Sequence, residues 1–254
     1  MIDVATRLAA AGCVAPDDEA RELCLDAPDP VELEARLRRR EAGEPLAWIV
    51  ARTRFGGVDV HVAPGVYVPR VQTEELARRA AGVLSACGTA VDLCTGSGAI
   101  AAWLQRARPD ARVVGVDIDL RAARCAAHNH VRVVIGDLAA PLHLTGAVEV
   151  VTAVAPYVPT AERRLLPPDV QRHEPALALD GGDDGLAVVR RVVENASELL
   201  RAGGHLLLEL GGAQDEALAP GLTRRGFTSI ESWRDDHGDL RGVIARRVRS
   251  ARHG

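Results

Sequence analysis

The chain has 254 residues, of which 47% are hydrophobic, and this length suits one large α/β core with a small appendage. Its formal net charge of -4 and its aromatic content of only 3% are not typical of a nucleic-acid-binding surface, so no direct nucleic-acid ligand is expected. Since all 31 basic residues are arginine, enzyme classes that depend on a catalytic lysine are excluded.

Residues 1–45 are predicted to form a small N-terminal helical domain. Apolar residues recur at helical spacing in three stretches, 4–8, 20–25 and 31–37. Residues 46–74 are predicted to form a β-hairpin linker, because the apolar pattern changes there to alternation and Gly56-Gly57 lies between two extended runs.

From about residue 75 to the end of the chain, strand-like apolar runs alternate with helical stretches. The runs are residues 89–94, 112–117, 131–135, 147–154 and 204–210. This alternation predicts an α/β fold with a parallel, doubly wound, Rossmann-like sheet covered on both faces. The last two runs, 228–233 and 240–245, have no helix between them, so they are expected to form an antiparallel pair at one edge.

The five cysteines are an odd number and include no C-x-x-C pair, which argues against a disulfide framework and against a zinc site. The N-terminus lacks the pattern of a signal peptide, and no apolar stretch reaches roughly 18 residues. These observations predict a cytoplasmic protein without a membrane segment or a bound metal.

A glycine turn, Gly96-Ser97-Gly98, follows the strand at 89–94 and opens a predicted helix. Glycines let the backbone approach a ligand closely, and the helix N-terminus offers free N–H groups. Asp117 ends the next strand about 20 residues after Gly98, the spacing at which a carboxylate binds a ribose diol. The predicted cofactor-binding residues are Asp92, Cys94, Thr95, Gly96, Ser97, Gly98, Asp117 and, at the adenine edge, Asp137.

Two cofactors compete for this motif, because residues 96–101 also satisfy the G-x-G-x-x-A pattern of nicotinamide dinucleotide sites. Three features favour a methyl donor: Asp92 is placed to hold a cofactor ammonium group, a long N-terminal region precedes the motif, and an unusual loop follows the fourth strand. A glycine turn without a ligand, and a turn aspartate at Asp137, are the structural alternatives.

Several short motifs follow one another in a fixed order along the chain. They are EPLAWI at 44–49, FGG at 55–57, PGVYVPR at 64–70, DLCTGSGAIA at 92–101, Asp117, VAPY at 154–157, EP at 174–175, LDGGDDGL at 179–186 and LELG at 208–211. In these motifs, which span nearly the whole chain, the sequence resembles the HemK/PrmC family of protein-glutamine N5-methyltransferases. Members of that family modify the GGQ glutamine of peptide-chain release factors.

The resemblance implies a class I methyltransferase domain at 75–254, S-adenosylmethionine as cofactor and a release factor as partner. It implies a catalytic loop formed by Val154, Ala155, Pro156 and Tyr157. It also places Tyr67 and Arg70 at the substrate pocket, with packing inside the hairpin as the alternative for Tyr67.

The chain departs from the family at Val154, where the family's loop reads NPPY or NAPY and this sequence reads VAPY. An amide nitrogen is a poor nucleophile, and in the family the asparagine oxygen and the next backbone carbonyl accept its N–H groups. Val154 supplies no acceptor, while the Ala155 carbonyl and the Tyr157 ring remain. Loss of one such acceptor is expected to cost roughly 3 kcal/mol, or on the order of a hundredfold in rate.

Three hypotheses therefore follow from the sequence. The first is a methyltransferase related to the release-factor enzymes that still acts on a protein glutamine. The second is a paralogue that methylates a small molecule, with Val154 in a less polar acceptor pocket. The third is a non-catalytic protein that binds the cofactor or a partner, and a nicotinamide-dinucleotide-binding protein is the remaining alternative.

Overall fold

The computed structural model describes residues 3–25 and 27–248. Four helices form its N-terminal part: α1 (Val4–Ala10), α2 (Pro16–Cys24), α3 (Pro30–Glu41) and α4 (Leu46–Ile49). They share a small apolar core made of Leu8, Leu23, Leu37 and Ile49. Each predicted helical stretch thus falls on a helix. The domain boundaries themselves stay predictions, and residues 1, 2, 26 and 249–254 of the predicted ranges lie outside the described residues.

The predicted hairpin consists of strands β1 (Arg52–Phe55) and β2 (Val58–His61), which pair antiparallel. Gly56 and Gly57 make the turn, and both have positive φ. A short 3-10 helix (Val71–Thr73) then leads into α5 (Glu74–Val83). Thr73, at the end of this segment, donates to Glu209 at the carboxyl end of β7, so the linker ends beside that edge of the sheet.

Within the described part of the chain, the central sheet has seven strands: β3 (Thr89–Leu93), β4 (Arg112–Asp117), β5 (Val133–Ile135), β6 (Val148–Ala153), β7 (Leu200–Glu209), β8 (Phe227–Arg234) and β9 (Leu240–Arg247). Their spatial order is β5-β4-β3-β6-β7-β9-β8, and of these strands only β9 runs in the direction opposite to the others. The predicted doubly wound α/β sheet with an antiparallel last strand is confirmed. The strand order reverses direction between β3 and β6, which opens a crevice at their carboxyl ends.

Helices cover both faces of the sheet, as alternating side chains on β7 show. Leu206 and Leu208 face one apolar core, whereas Leu207 faces the other. The covering helices are α5, α6 (Ala99–Ala107) and α7 (Leu120–His128) on one side, and α9 (Ala187–Leu199) and α10 (Gln214–Arg224) on the other. A further helix, α8 (Pro168–His173), lies in the long segment between β6 and α9. Within the described residues, none of the helices has the length and apolar character needed to span a membrane.

Candidate active site

A cavity of about 480 Å³ lies at the carboxyl ends of β3, β4 and β6. Crevices in this position are where open α/β sheets bind ligands. The cavity brings together most of the residues expected to bind a cofactor, namely Cys94, Thr95, Gly96, Ser97, Asp117 and Asp137. Three further predicted site residues line it as well: Tyr67, Val154 and Pro156.

The loop after β3 is tied to the end of β4. The carboxylate of Asp117 accepts a hydrogen bond from the backbone N–H of Gly96 at 2.8 Å and another from that of Asp119 at 2.9 Å. Burial raises the pKa of Asp117, and these two N–H groups oppose the rise. Cys94 and Gly96 both have positive φ angles, and both line the cavity. The loop is therefore held in one shape by a carboxylate that also lines the cavity.

Asp92 does not meet the expectation of direct contact with a cofactor ammonium group. Its side chain is only 1% exposed and lies beneath the loop, outside the cavity lining. One carboxylate oxygen accepts from the Thr95 hydroxyl at 2.5 Å, and the other accepts from the Thr152 hydroxyl at 2.7 Å. Both oxygens are thus satisfied internally, and Asp92 supports the loop rather than the ligand. Burial raises its pKa to about 6, against the effect of the two hydroxyls.

Gly98 also lies outside the cavity lining. It precedes α6 with φ of 79°, and a Cβ there would come within 3.0 Å of side-chain atoms of Val131 and Ala126. Gly98 therefore allows close packing of α6 against α7 and the adjoining loop, and its contact with a cofactor stays a prediction.

Asp137 lies at the rim of the cavity, where it forms an ion pair with Arg191 at 2.6 Å. Both side chains are about half exposed. The sequence pointed to Asp137 but not to Arg191, which comes from α9 and lines the same rim.

A second cavity, of about 380 Å³, adjoins the first. It contains the remaining predicted site residues, Arg70, Ala155 and Tyr157. Tyr67 and Val154 line both cavities, so they stand at the junction between them. The predicted cofactor half and acceptor half of the site therefore meet at the residue where the chain departs from the family motif.

Arg70 is held by two neighbours in the second cavity. Its Nη2 donates to Oε1 of the buried Glu174 at 2.5 Å, and its guanidinium carbon lies 4.9 Å from the centre of the Tyr67 ring. Burial raises the pKa of Glu174, and the charge of Arg70 opposes that rise. Burial also raises the pKa of Tyr67 to about 12.

The loop that contains Tyr157 is fixed from behind by polar contacts. The Tyr157 hydroxyl donates to Oε1 of Glu209 at 3.0 Å, and Thr73 donates to Oε2 of the same carboxylate at 2.6 Å. Gln214 donates from its side-chain amide to the Tyr157 carbonyl at 2.8 Å. Glu209 is 3% exposed, and burial raises its pKa while the two hydroxyls lower it.

Sequence reasoning assigned no role to Thr152 or Glu209. Each stands in an otherwise apolar run, Thr152 in 147–154 and Glu209 in 204–210. A polar side chain that is buried in such a run needs a hydrogen-bond partner. The presence of a polar residue in an apolar run was therefore the sequence feature that could have indicated these two residues.

No protein-family model matches the chain. Curated relatives do match it over most of its length. It is 39% identical over 243 residues to a release factor glutamine methyltransferase of Mycolicibacterium smegmatis, covering 91% of this chain and 86% of the relative. It is 41% identical over 231 residues to a 4-amino-L-phenylalanine/4-methylamino-L-phenylalanine methyltransferase of Streptomyces pristinaespiralis, covering 85% of this chain and 77% of the relative.

Solved structures share the fold at low sequence identity. A ribosomal protein L11 methylase of Lactobacillus delbrueckii subsp. bulgaricus matches with a TM-score of 0.53 and 15% identity, covering 74% of this chain and 85% of that one. A 16S rRNA methyltransferase of T. thermophilus, solved with AdoMet and guanosine, matches with a TM-score of 0.53 and 17% identity, covering 79% and 45%. These neighbours confirm the class I methyltransferase fold.

The curated relatives confirm the resemblance that the motifs predicted. Release factor glutamine methyltransferases recur among them, including one from Streptomyces coelicolor that is 36% identical over 92% of this chain. The chain is a methyltransferase and belongs to the HemK/PrmC family of protein-glutamine N5-methyltransferases.

Proposed function

We propose that this enzyme transfers a methyl group from S-adenosylmethionine to an amine nitrogen of a small-molecule acceptor. The observation that carries the proposal is the position of Val154. Its side chain lines both cavities, at the point where donor and acceptor must meet, and it has no hydrogen-bond acceptor. An amine keeps its lone pair available for attack, whereas an amide needs polar acceptors on its N–H groups to free that lone pair.

The charges around the first cavity support S-adenosylmethionine over a nicotinamide dinucleotide. The charged residues that line it are Asp117, Asp119, Asp137, Asp180 and Arg191. Asp119, Asp137 and Asp180 form ion pairs with Arg121, Arg191 and Arg163, which leaves Asp117 as the lining carboxylate without an arginine partner among the described residues. Its negative charge favours a ligand with a sulfonium group over a pyrophosphate. When bound, S-adenosylmethionine supplies an electrophilic methyl group on its sulfonium.

The residues of this cavity also suit the shape of that cofactor. In our proposal Asp117 accepts from the ribose hydroxyls, and Asp137 meets the adenine edge together with Arg191. A Cβ on Gly96 would meet no protein atom within 4 Å, which leaves room for a ligand beside the loop.

The second cavity supports a basic acceptor. Asp169 lines it and makes no hydrogen bond or ion pair among the described residues, although the charge of Arg40 acts on it from nearby. Its carboxylate can therefore attract an ammonium group of the acceptor other than the reacting nitrogen, which must be neutral to keep its lone pair. Arg70 adds little net positive charge, because Glu174 neutralises it. The 41% identical relative from Streptomyces pristinaespiralis, whose name is that of an aminophenylalanine methyltransferase, supports the same class of acceptor.

Protein glutamine is the second candidate acceptor. The names of several relatives favour it, and so does the Ala155 carbonyl, which accepts no hydrogen bond from the described residues. This carbonyl would supply one of the two acceptors that an amide needs.

The Val154→Asn variant separates the two candidates. We expect it to gain on the order of a hundredfold in methyl transfer to a GGQ peptide, because the asparagine oxygen restores the missing acceptor. Val154→Ile is the matched control, since it changes the side chain without adding an acceptor, and it should show no gain. Efficient methylation of the peptide by the wild type, with no further gain in Val154→Asn, would favour glutamine instead.

A further inference from the structure

Two hydroxyl groups from distant parts of the chain donate to one buried carboxylate. Thr73 lies at the end of the linker, Tyr157 lies after β6, and Glu209 ends β7. The hydrogen bonds from Thr73 and Tyr157 to Glu209 are 2.6 and 3.0 Å long, and each uses a different oxygen of the carboxylate. We call this group the Glu209 network.

The direction of these hydrogen bonds is fixed by chemistry. An ionised carboxylate only accepts hydrogen bonds, so each hydroxyl must donate its single proton to Glu209. The oxygens of Thr73 and Tyr157 are then left with lone pairs alone. Toward any other partner, both hydroxyls can act only as hydrogen-bond acceptors.

The Glu209 network spans the two halves of the site. Thr73 lines the first cavity, and Tyr157 lines the second. Tyr67 and Val154, which line both cavities, stand at the same junction. The network thus connects a residue of the first cavity with a residue of the second, and the two cavities meet at Val154.

We propose that the Thr73 and Tyr157 oxygens accept the N–H groups of the reacting nitrogen, and that Glu209 is the positioning residue that keeps both oxygens free of outward-facing protons. The inference rests on the proposed function, and it supplies the polar contacts that Val154 lacks. In the transfer, the nitrogen lone pair forms the new N–CH3 bond and the pair of the broken S–CH3 bond stays on sulfur. The proton that the methylated nitrogen sheds passes to water.

The network makes the transfer depend on pH. The titratable and charged groups that face Glu209 are Tyr67, Arg70, Tyr157 and Arg241. Burial raises the pKa of Glu209, while the hydroxyls and the two arginines oppose the rise. A protonated Glu209 donates to one hydroxyl, and that hydroxyl must then turn its own proton toward the cavity. The rate should therefore fall as pH falls through the pKa of Glu209.

The test is Glu209→Gln, which keeps the shape of the side chain but introduces N–H donors. Sinefungin is the probe, because it carries an amine where S-adenosylmethionine carries its methylsulfonium, and S-adenosylhomocysteine is the reference. By calorimetry, we expect Glu209→Gln to weaken sinefungin binding about tenfold, with S-adenosylhomocysteine unchanged. In amine methylation, kcat should fall with little change in KM, and the part of the acidic limb that Glu209 protonation causes should disappear, while the part caused by protonation of the acceptor amine remains.

Substitutions at Thr73 provide a second measurement that does not alter the charge. Thr73→Val removes the hydroxyl and should weaken sinefungin selectively, whereas Thr73→Ser keeps the hydroxyl and should restore wild-type binding. An unchanged ratio of the two nucleoside affinities in both Glu209→Gln and Thr73→Val would overturn this inference alone. Failure of the wild type to bind either nucleoside would overturn the proposed function, and this inference with it.

Discussion

Asp92 shows how a single residue can be identified from sequence while its role is missed. Its place before the glycine turn suggested a ligand contact, but the carboxylate is buried against the hydroxyls of Thr95 and Thr152. Thr152 lies on β6, far along the chain, and no local pattern reveals that it faces Asp92 across paired strands. Asp117 was predictable because its contact with the loop follows from spacing within one strand-turn-helix unit.

The buried state of Asp92 leads to a pH prediction. Its pKa rises from the ordinary aspartate value of 3.8 to about 6 in the folded protein, so the folded state binds the proton more tightly than the unfolded state does. Its contribution to the free energy of unfolding is therefore greatest below about pH 4, and about 3 kcal/mol of it is lost as pH rises from about 4 through about 6.

Asp92→Asn should not show this loss. Urea unfolding of both proteins between pH 4 and pH 7 gives the free energy of unfolding of each at every pH. The difference between the two proteins isolates the effect of Asp92, because the other titrating groups are the same in both. If the difference in unfolding free energy between wild type and Asp92→Asn stays constant across this range, the assigned environment of Asp92 is wrong.

At the scale of elements, the glycine turn and the helix that follows it are the part of the fold that the sequence predicts most directly. The apolar runs identified all the strands of the described sheet. The central strands β3 and β6 are buried almost throughout, whereas the edge strands β5 and β8 are largely exposed or half-buried. The second cavity was less predictable. Its walls come from the linker, the loop after β6 and α8, and no sequence period connects these segments.

The two glycines of the turn should respond differently to alanine. Gly98→Ala places a Cβ within 3.0 Å of Val131 and Ala126 at a positive φ, so we expect a loss of about 3 kcal/mol or more in unfolding free energy. Gly96→Ala meets no protein atom within 4 Å and should lose only about 1–2 kcal/mol from its left-handed backbone.

Because Gly96 lines the cavity, its alanine variant should nevertheless lose S-adenosylhomocysteine affinity. Denaturation measures the loss of unfolding free energy in Gly96→Ala and Gly98→Ala, and calorimetry measures their affinity for S-adenosylhomocysteine. Equal destabilisation by the two substitutions would contradict the packing role assigned to Gly98.

At the scale of the whole molecule, the apolar residues divide into separate cores. The N-terminal helices enclose Leu23 in their own cluster, whereas Leu206 lies in the core on one face of the sheet. The cavity assigned to the cofactor is lined by residues from Phe55 onward. Stability of the N-terminal helices and binding of the cofactor should therefore be separable.

Leu23→Ala is expected to destabilise the N-terminal helices by about 2–5 kcal/mol, because it leaves a void at a fully buried position. Hydrogen exchange should accelerate in α1 to α3, while the affinity for S-adenosylhomocysteine stays within about twofold of the wild type. Leu206→Ala is the matched control, since the same chemical change in the sheet core should weaken binding as well. A large loss of affinity in Leu23→Ala would show that the N-terminal helices support the cofactor cavity.

The central claim is that Val154 shifts methyl transfer from a protein glutamine to a small-molecule amine. The identity of the methylated acceptor tests this claim most directly. Wild-type enzyme is given labelled S-adenosylmethionine with either 4-amino-L-phenylalanine or a GGQ peptide, and kcat/KM is determined for each. We predict label on the amine nitrogen, with the peptide glutamine slower by about a hundredfold or more. Label on the glutamine at a comparable or higher rate, with none on the amine, would contradict the proposed redirection by Val154.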